Sequence, residues 1–133
     1  MSGSGLLTIA SSFSVRETID RLASKVTSLG LAVFARIDHA AGAAEVGMRR
    51  RPTELLIFGN PKGGTPLMQE AQTAGIDLPL KALAWEDAEG KVWLTTNDAA
   101  WIAERHRLGA SSAKAVEALA HGLAAVTRAA ASG

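Results

Sequence analysis

The segment Leu78–Thr96, LPLKALAWEDAEGKVWLTT, decides the fold class of this chain. It contains two β-prone runs, Leu78–Trp85 and Lys91–Thr96, joined by five residues that end in Gly90. Two such runs separated by a short loop with a glycine predict a β-hairpin. A hairpin is an antiparallel pair, which a purely parallel, doubly wound sheet would not contain. The segment therefore favours an α+β domain, in which helices pack against an antiparallel sheet.

Three further strands are predicted on the N-terminal side of this hairpin. Leu6–Ala10 and Leu31–Ile37 are short runs rich in branched, aromatic or other apolar residues. Glu54–Phe58 is an almost continuous apolar run, which predicts a strand buried on both faces or at the centre of the sheet. Together with the hairpin, these runs predict a sheet of about five strands.

Helices are predicted between and after the strands. Ser14 begins a helix over about residues 15–29, in which apolar residues recur at three- and four-residue spacing until Gly30. Asp38 is predicted to cap a short helix that has His39 in its first turn. The other helices are predicted to start at Thr65–Pro66 (ending at Gly75), at Asn97 or Asp98, and at Ser111 or Ser112, the last opening an alanine-rich helix over about 112–130.

The composition limits the class of protein. With 133 residues, of which 47% are hydrophobic and 20% charged, the chain is expected to form a single globular domain over residues 1–133. Its net charge of +1, with basic residues spread along the chain, argues against nucleic-acid binding. The absence of cysteine excludes disulfides, thiolate nucleophiles, cysteine-bound zinc and cysteine-ligated iron–sulfur clusters.

The N-terminal sequence and the hydropathy pattern indicate the expected cellular location of the chain. The sequence has no secretory signal and no run approaching the ~18 apolar residues of a membrane span. A cytoplasmic location and no membrane partner are therefore expected. The Ser/Gly-rich start, Met1–Gly5, and the closing Ala129–Gly133 are predicted to be frayed ends.

The segment Phe58–Pro66, FGNPKGGTP, has the glycine spacing of a phosphate-binding P-loop. The lysine that a P-loop requires directly after its second glycine is missing, which excludes a nucleotide triphosphatase of that class. Gly63 and Gly64 still permit close backbone approach, and Lys62 adds a positive charge near a predicted helix start. The segment can thus hold a small anion, or it can be a strand-to-helix turn built from good turn residues.

His39 and His106 are the main candidates for acid/base chemistry. A histidine can act as a general base near neutral pH, as a metal or haem ligand, or as a donor to an anion. Each of these two histidines can equally have a structural role, capping a helix or packing against neighbouring side chains. With Glu86 they could form a two-histidine, one-carboxylate metal site. The three residues are far apart in the sequence, and their spacing matches no known metal-binding motif. Glu86 also suits a solvated hairpin end. No motif indicates a cofactor, and His121 is expected on a helix surface.

Other features have simpler explanations. The chain has no Gly-x-Ser-x-Gly elbow, so serine catalysis has no support. Arg49–Arg51 can neutralise a phosphate or an acidic partner, or form a solvated loop. The three tryptophans suggest core or dimer packing rather than an aromatic pocket. An interaction protein would need an exposed apolar patch, for which the stripe Val116, Leu119 and Leu123 of the final helix is the candidate.

Read in order, several motifs resemble the domain of unknown function 302 family of small bacterial and archaeal proteins. They span about Gly30 to Leu108 and comprise Ile37–Ala40, FGNPKGGT at 58–65, Leu67–Met68, DLPLK at 77–81, Trp85–Asp87 with Gly90, and Arg105–His106. The resemblance implies a TATA-binding-protein-like fold, with helices on one face of an antiparallel sheet in the order strand, helix, four strands, helix. It also implies a dimer. The two short predicted helices would be insertions.

Three hypotheses follow for the function. The leading one is a homodimeric binding domain whose cleft accepts a small anionic or polar ligand. The second is a small enzyme that uses His39 or His106 as acid/base, with or without metal or haem, and Glu86 as a further candidate. The third is a structural or interaction protein. The residues expected to line the cleft are His39, Asn60, Lys62, Gly63, Gly64, Thr65 and His106.

Overall fold

The computed structural model describes residues 3–132 of the chain. The strands are β1 Leu6–Ser11, β2 Ala32–Asp38, β3 Thr53–Gly59, β4 Leu80–Glu86 and β5 Val92–Asn97, and the α-helices are α1 Val15–Ser28, α2 His39–Glu45, α3 Pro61–Glu70, α4 Ala99–Arg105 and α5 Ala113–Ala131. Two 3-10 helices, Gln72–Ile76 and Ala110–Ser112, precede β4 and α5 respectively.

The strands form one antiparallel sheet in the order β1-β5-β4-β3-β2. The hairpin that indicated the fold class is its β4–β5 pair, with Trp85 opposite Trp93 and Gly90 at a φ of 80° in the turn. A left-handed backbone at this position favours glycine because a Cβ would be strained there. The predicted α+β fold with five strands is confirmed.

Helices α1 and α5 cover one face of the sheet. Alternate residues of β3 and β4, such as Leu56, Phe58 and Ala82, are buried against them. Leu55 and Ile57, on the other face of β3, are only half-buried. Burial of β3 on both faces is therefore wrong for residues 3–132, and β3 is an interior strand next to the central strand β4 rather than the central strand itself.

The prediction of frayed ends is wrong at Gly5 and at residues 129–132. Gly5 is buried, and a Cβ there would lie 2.7 Å from Cδ2 of Trp101. At the other end α5 continues to Ala131, which is buried. The Arg21 guanidinium donates hydrogen bonds to the carbonyls of Ala129, Ala130 and Ser132, and so caps the helix. Met1, Ser2 and Gly133 lie outside the described residues.

Helix α3 begins five residues earlier than predicted. Asn60 is its N-cap, with Oδ1 accepting from the Lys62 amide at 2.9 Å, and Pro61 takes the first helical position. Pro66 therefore lies inside the helix rather than at its start, and its missing amide leaves the Lys62 carbonyl without the usual helical partner. The helix also ends earlier, at Glu70 instead of Gly75. Most of FGNPKGGTP is thus the end of a strand and the first half of a helix.

Candidate functional site

Asn60, Lys62, Gly63, Gly64 and Thr65 lie together at the start of α3, directly after β3. The first-turn amides, however, are already used. The Lys62 amide bonds the Asn60 side chain, and the amides of Gly63 and Gly64 both bond the Asn60 carbonyl, at 2.8 and 3.2 Å. Pro61 has no amide hydrogen. The helix start therefore lacks the free donors that a phosphate cradle needs.

An apolar cavity of about 200 Å³ lies beside this helix start. Asn60 and Thr65 contribute at its edge, and Gly59, Pro61 and Gly64 provide backbone walls. Its remaining walls are the apolar side chains of Phe34, Met68, Leu78, Pro79, Leu80 and Leu119. The chemistry of this lining suits a hydrocarbon group rather than a small inorganic anion.

Phe34 reaches the cavity through an irregularity in β2. The register of β2 against β3 shifts between Val33 and Ala35, which leaves Phe34 as the extra residue of a β-bulge. Its side chain is 52% exposed although it lies within a strand. A bulge re-aims a side chain in this way, and nothing in the alternation of apolar residues along β2 predicted it.

A second cavity, of about 290 Å³, adjoins the first. The two share Gly59, Asn60, Leu80 and Leu119, while Lys62 contributes to the second alone. The small residues Gly63, Ala115, Ala118 and Gly122 line the space between α3 and α5. The two cavities form one apolar region between these helices and the β3 end of the sheet, with the Lys62 cation beside it.

His106 is held on both ring nitrogens. Nε2 lies 2.6 Å from an Asp77 carboxylate oxygen and Nδ1 lies 2.9 Å from the Thr73 hydroxyl. Arg105 contacts the same carboxylate at 3.1 Å. The His106 side chain is 6% exposed. This network fastens the end of α4 to the 3-10 helix Gln72–Ile76, so it suits a structural role better than proton exchange with a bound substrate.

His39 and His106 lie at opposite ends of the sheet. The antiparallel pairing of β2 with β3 puts His39 beside the start of β3. Asn60 follows the end of β3, about 20 Å away, because β3 is a strand of seven residues. Glu86 lies at the His39 end, because β4 is antiparallel to β3. Residues 3–132 contain no group of three or more potential metal ligands. The structure does not bring the three candidates His39, Glu86 and His106 into one cleft or metal site.

Glu70 makes a contact that sequence reasoning missed. Its carboxylate accepts hydrogen bonds from the Ser112 hydroxyl at 2.5 Å, the Gly109 amide at 2.7 Å and the Ser111 hydroxyl at 2.9 Å. These bonds, led by that from Ser112, lower the pKa of Glu70 from its ordinary value. The end of α3 is thereby tied to the start of α5, and these two helices form walls of the cavities. The serine pair at a predicted helix start was the available signal.

The Glu70 contact predicts a pH-dependent stability. A carboxylate whose pKa is lowered by folding stabilises the native state above its ordinary pKa of 4.5 and loses that contribution as the pH falls. We expect Glu70→Gln to lower the melting temperature at about pH 7, and the difference from the parent chain to shrink as the pH falls below 4.5, through the lowered pKa of Glu70. Thermal melts across this range check it, with the exposed Glu117→Gln as control. A difference that does not change with pH would contradict the account.

Comparison with known proteins places the chain among related sequences. A family model described as "Domain of unknown function DUF302" matches residues 7–126. The "Fluoride-specific ion channel FluC 1" of Brucella suis biovar 1 is 58% identical over 125 residues, which are 94% of this chain and 49% of that protein. "Fluoride-specific ion channel FluC 2" of Brucella melitensis biotype 1 is also 58% identical, over 94% of this chain and 46% of that protein. The chain thus spans about half the length of these curated relatives.

The fold has a counterpart among solved structures. A crystal structure described as an uncharacterized conserved protein DUF302 from Bacillus stearothermophilus aligns with a TM-score of 0.83 and covers 96% of this chain and 99% of that chain. At 19% identity this likeness shows the fold and nothing about activity. Within residues 3–132, the chain offers no helix with the length and hydropathy to cross a bilayer.

Proposed function

The chain belongs to the family described as Domain of unknown function DUF302, and we propose that it binds a small ligand with an apolar body in the cavity beside Gly59–Thr65. The cavity carries this proposal. Its walls are almost entirely carbon, and it lies where a strand end, a helix start and a second helix meet. An apolar cavity of about 150 Å³ holds one benzene ring. The observed 200 Å³ therefore suits a single aromatic ring or a short branched alkyl group.

A polar or anionic group on the ligand would be recognised by side chains rather than by the helix amides. The amides of the first turn are occupied, as described above. Lys62 is exposed, and its ammonium group makes no ion pair within residues 3–132. Asn60 and Thr65 add hydrogen-bonding groups at the cavity edge. The class of ligand that fits is a small aromatic or alkyl carboxylate, with its carboxylate near Lys62.

The enzyme hypothesis has less support from the geometry. It names His39 or His106 as the acid/base, and His39 lies at the end of the sheet opposite to the cavity beside Asn60. His106 is nearly buried, and both of its ring nitrogens contact protein groups. Ligand binding requires neither histidine, so it is the function that the cavity supports best.

Binding can be tested with benzoate, benzyl alcohol and inorganic phosphate at millimolar concentration. We expect benzoate and benzyl alcohol to raise the melting temperature, by the equivalent of about 2.7 kcal/mol at a hundredfold excess over Kd, and phosphate to have no effect. Lys62→Ala should weaken benzoate by about fivefold and leave benzyl alcohol unchanged, because an exposed charge contributes modestly.

Gly64→Leu is the blocking variant. A Cβ at Gly64 would lie 3.4 Å from Cδ1 of Leu78, so a leucine there extends into the cavity from an ordinary helical backbone. We expect it to abolish protection by both organic ligands. Gly42→Leu is the matched control, since a Cβ at that helical glycine meets nothing within 4 Å. Protection that persists in Gly64→Leu, or a parent chain that no compound protects, would reject the proposal.

A further inference from the structure

A third cavity lies towards the opposite edge of the sheet, between α5 and the edge strand β1. We call it the edge-strand cavity. Its volume is about 230 Å³. Among the described residues, Leu123 is the one lining residue that it shares with either of the other two cavities. The edge-strand cavity is therefore separate from the cavity beside Gly59–Thr65.

The edge strand supplies an apolar wall that α5 covers only in part. Leu7 pairs with Thr96 across the strands, and Leu94 lies two residues before Thr96, so the three side chains share the face on which α5 packs. Leu94 is fully buried there, whereas Leu7 is 52% exposed. The residues of α5 that line the other side are small, Ala120 and Ala124, and they leave space that larger side chains would fill.

The burial of α5 corrects the expectation that its stripe of Val116, Leu119 and Leu123 is an exposed apolar patch. Leu123 is buried in the core, and Val116 and Leu119 are half-buried. Both ends of β1 are also fastened, since the Ser12 amide donates to the Ala131 carbonyl at 2.8 Å and the Asp98 amide donates to the Gly5 carbonyl at 2.9 Å. The apolar space between β1 and α5 is thus a cavity with fixed walls.

Thr96 is a buried polar residue at the wall of this cavity. It is 6% exposed. In the part of the chain that the structure describes, every side-chain oxygen or nitrogen sealed from solvent has a hydrogen-bond partner. Thr96 Oγ1 bonds to none of these residues, so it is open to solvent, and the edge-strand cavity is the space beside it. Valine has the same shape and would avoid the cost of burying an unpaired hydroxyl, so this hydroxyl is a free donor and acceptor for a ligand.

Two opposite charges line the cavity and do not pair with each other. Asp98 uses Oδ1 to cap α4, accepting from the amides of Ala100 and Trp101, while Oδ2 accepts no hydrogen bond within residues 3–132. Arg128 donates from Nε to the Ala124 carbonyl at 3.3 Å, and its guanidinium forms no ion pair within the same range. The cavity therefore has one carboxylate oxygen and one guanidinium end available to a ligand.

We propose that the edge-strand cavity binds a free α-amino acid with a branched apolar side chain. The apolar walls hold the side chain, Arg128 pairs with the ligand carboxylate, and Asp98 Oδ2 accepts from the ligand ammonium group. The Thr96 hydroxyl supplies one further hydrogen bond. An apolar cavity of about 150 Å³ holds a benzene ring, so 230 Å³ accommodates an isobutyl side chain with its α-carbon. A ligand with a single charge would leave either Asp98 or Arg128 without a partner.

NMR titration of the isotope-labelled chain with L-leucine tests the site, because amide shifts report where the ligand lies. We expect shifts at Thr96, Ala120 and Ala124 at millimolar concentration, and we expect them to persist in Gly64→Leu, which fills the first cavity. L-Serine has the same charges without an apolar side chain and should cause no shift. Isoamylamine is leucine without its carboxylate, and isocaproate is leucine without its ammonium group. Each should bind at these amides about fivefold more weakly than leucine.

Three substitutions each remove one polar group and keep the local backbone. Thr96→Val should weaken leucine about tenfold without lowering the melting temperature. Asp98→Asn retains the helix cap and should weaken leucine and isoamylamine, but not isocaproate, about fivefold. Arg128→Gln should weaken leucine and isocaproate, but not isoamylamine, by a similar factor. Lys114→Gln is the control, because Lys114 is an exposed cation of the same helix outside the cavity.

Several results would overturn the proposal. They are the absence of leucine-induced shifts at the named amides, shifts that disappear in Gly64→Leu, or a folded Thr96→Val chain that binds leucine as tightly as the parent. Equal losses in Arg128→Gln and Lys114→Gln would also reject it. Ala120→Leu, which narrows the cavity from α5, is a second variant in case Thr96→Val does not fold, and it should abolish the shifts. Failure here leaves benzoate binding at the first cavity intact, because the two sites are read at different amides.

Discussion

Replacing Phe58 by alanine is expected to lower the free energy of unfolding by about 3–5 kcal/mol. Phe58 is 2% exposed and belongs to the core between the sheet and helices α1 and α5. Its loss removes buried apolar surface and leaves a cavity that the surrounding side chains fill only in part. For a chain of this length the melting temperature should fall by roughly 10–20 °C, which denaturant or thermal unfolding will measure.

Phe34→Ala is the matched control for this prediction. Phe34 is also a phenylalanine in a strand, but it is 52% exposed, so its truncation should cost less than about 1 kcal/mol. For ligand binding the larger loss is expected in Phe34→Ala, because Phe34 lines the 200 Å³ cavity and Phe58 does not. Similar losses of stability in both variants would contradict the assignment of Phe58 to the core.

Replacing Arg36 by methionine is expected to cost about 3 kcal/mol. Glu54 is buried on the helix side of β3, and its Oε1 accepts from Arg36 Nε at 3.0 Å. Burial disfavours the charge of Arg36, but hydrogen bonds from it to Asp20 and Glu54 outweigh that effect and raise the pKa of the guanidinium. Removing the arginine would therefore leave a buried carboxylate without its cation.

A double-mutant cycle separates the ion pair from simple packing. In the Arg36→Met, Glu54→Leu chain no unpaired charge remains, and we expect stability to return to within about 1 kcal/mol of the parent. Asp20→Asn should cost less than about 0.5 kcal/mol, because that partner is largely exposed. Urea unfolding of the parent, the two single variants Arg36→Met and Glu54→Leu, and the double variant gives the coupling energy between the two side chains. A double variant as unstable as Arg36→Met alone would show that the cost comes from packing.

The start of α3 illustrates where prediction from sequence stopped. FGNPKGGTP contains two cap-proline pairs, Asn60-Pro61 and Thr65-Pro66, and either suits a helix start. The helix was predicted to start at Thr65–Pro66, and the glycine pair gives the earlier start no local support, because glycine disfavours helix. In the structure Gly63 and Gly64 are helical, with hypothetical Cβ atoms 3.2 and 3.4 Å from side chains of Leu119 and Leu78. Close packing against these distant residues selected the earlier start.

The sequence indicated the segment that adjoins the cavity but not the apolar character of the cavity lining. The residues from Asn60 to Thr65 do adjoin a cavity, because a strand end followed by a helix start is a local feature of the chain. The apolar character of that cavity comes from Phe34, Leu78 and Leu119, which are far away in the sequence. The positions of His39 and His106 depended in the same way on strand order, which no local pattern contains.

The sequence by itself determined the five strands, the β4–β5 hairpin, the helix caps at Ser14 and Asp38, and the family. Each depends on residues close together in the chain, where side-chain alternation and capping hydrogen bonds act directly on the backbone. Only the tertiary structure decided where α3 starts, what lines the cavity and which sheet face stays uncovered. Those features depend on which distant side chains meet, and local backbone preferences of a fraction of a kcal/mol yield to such packing.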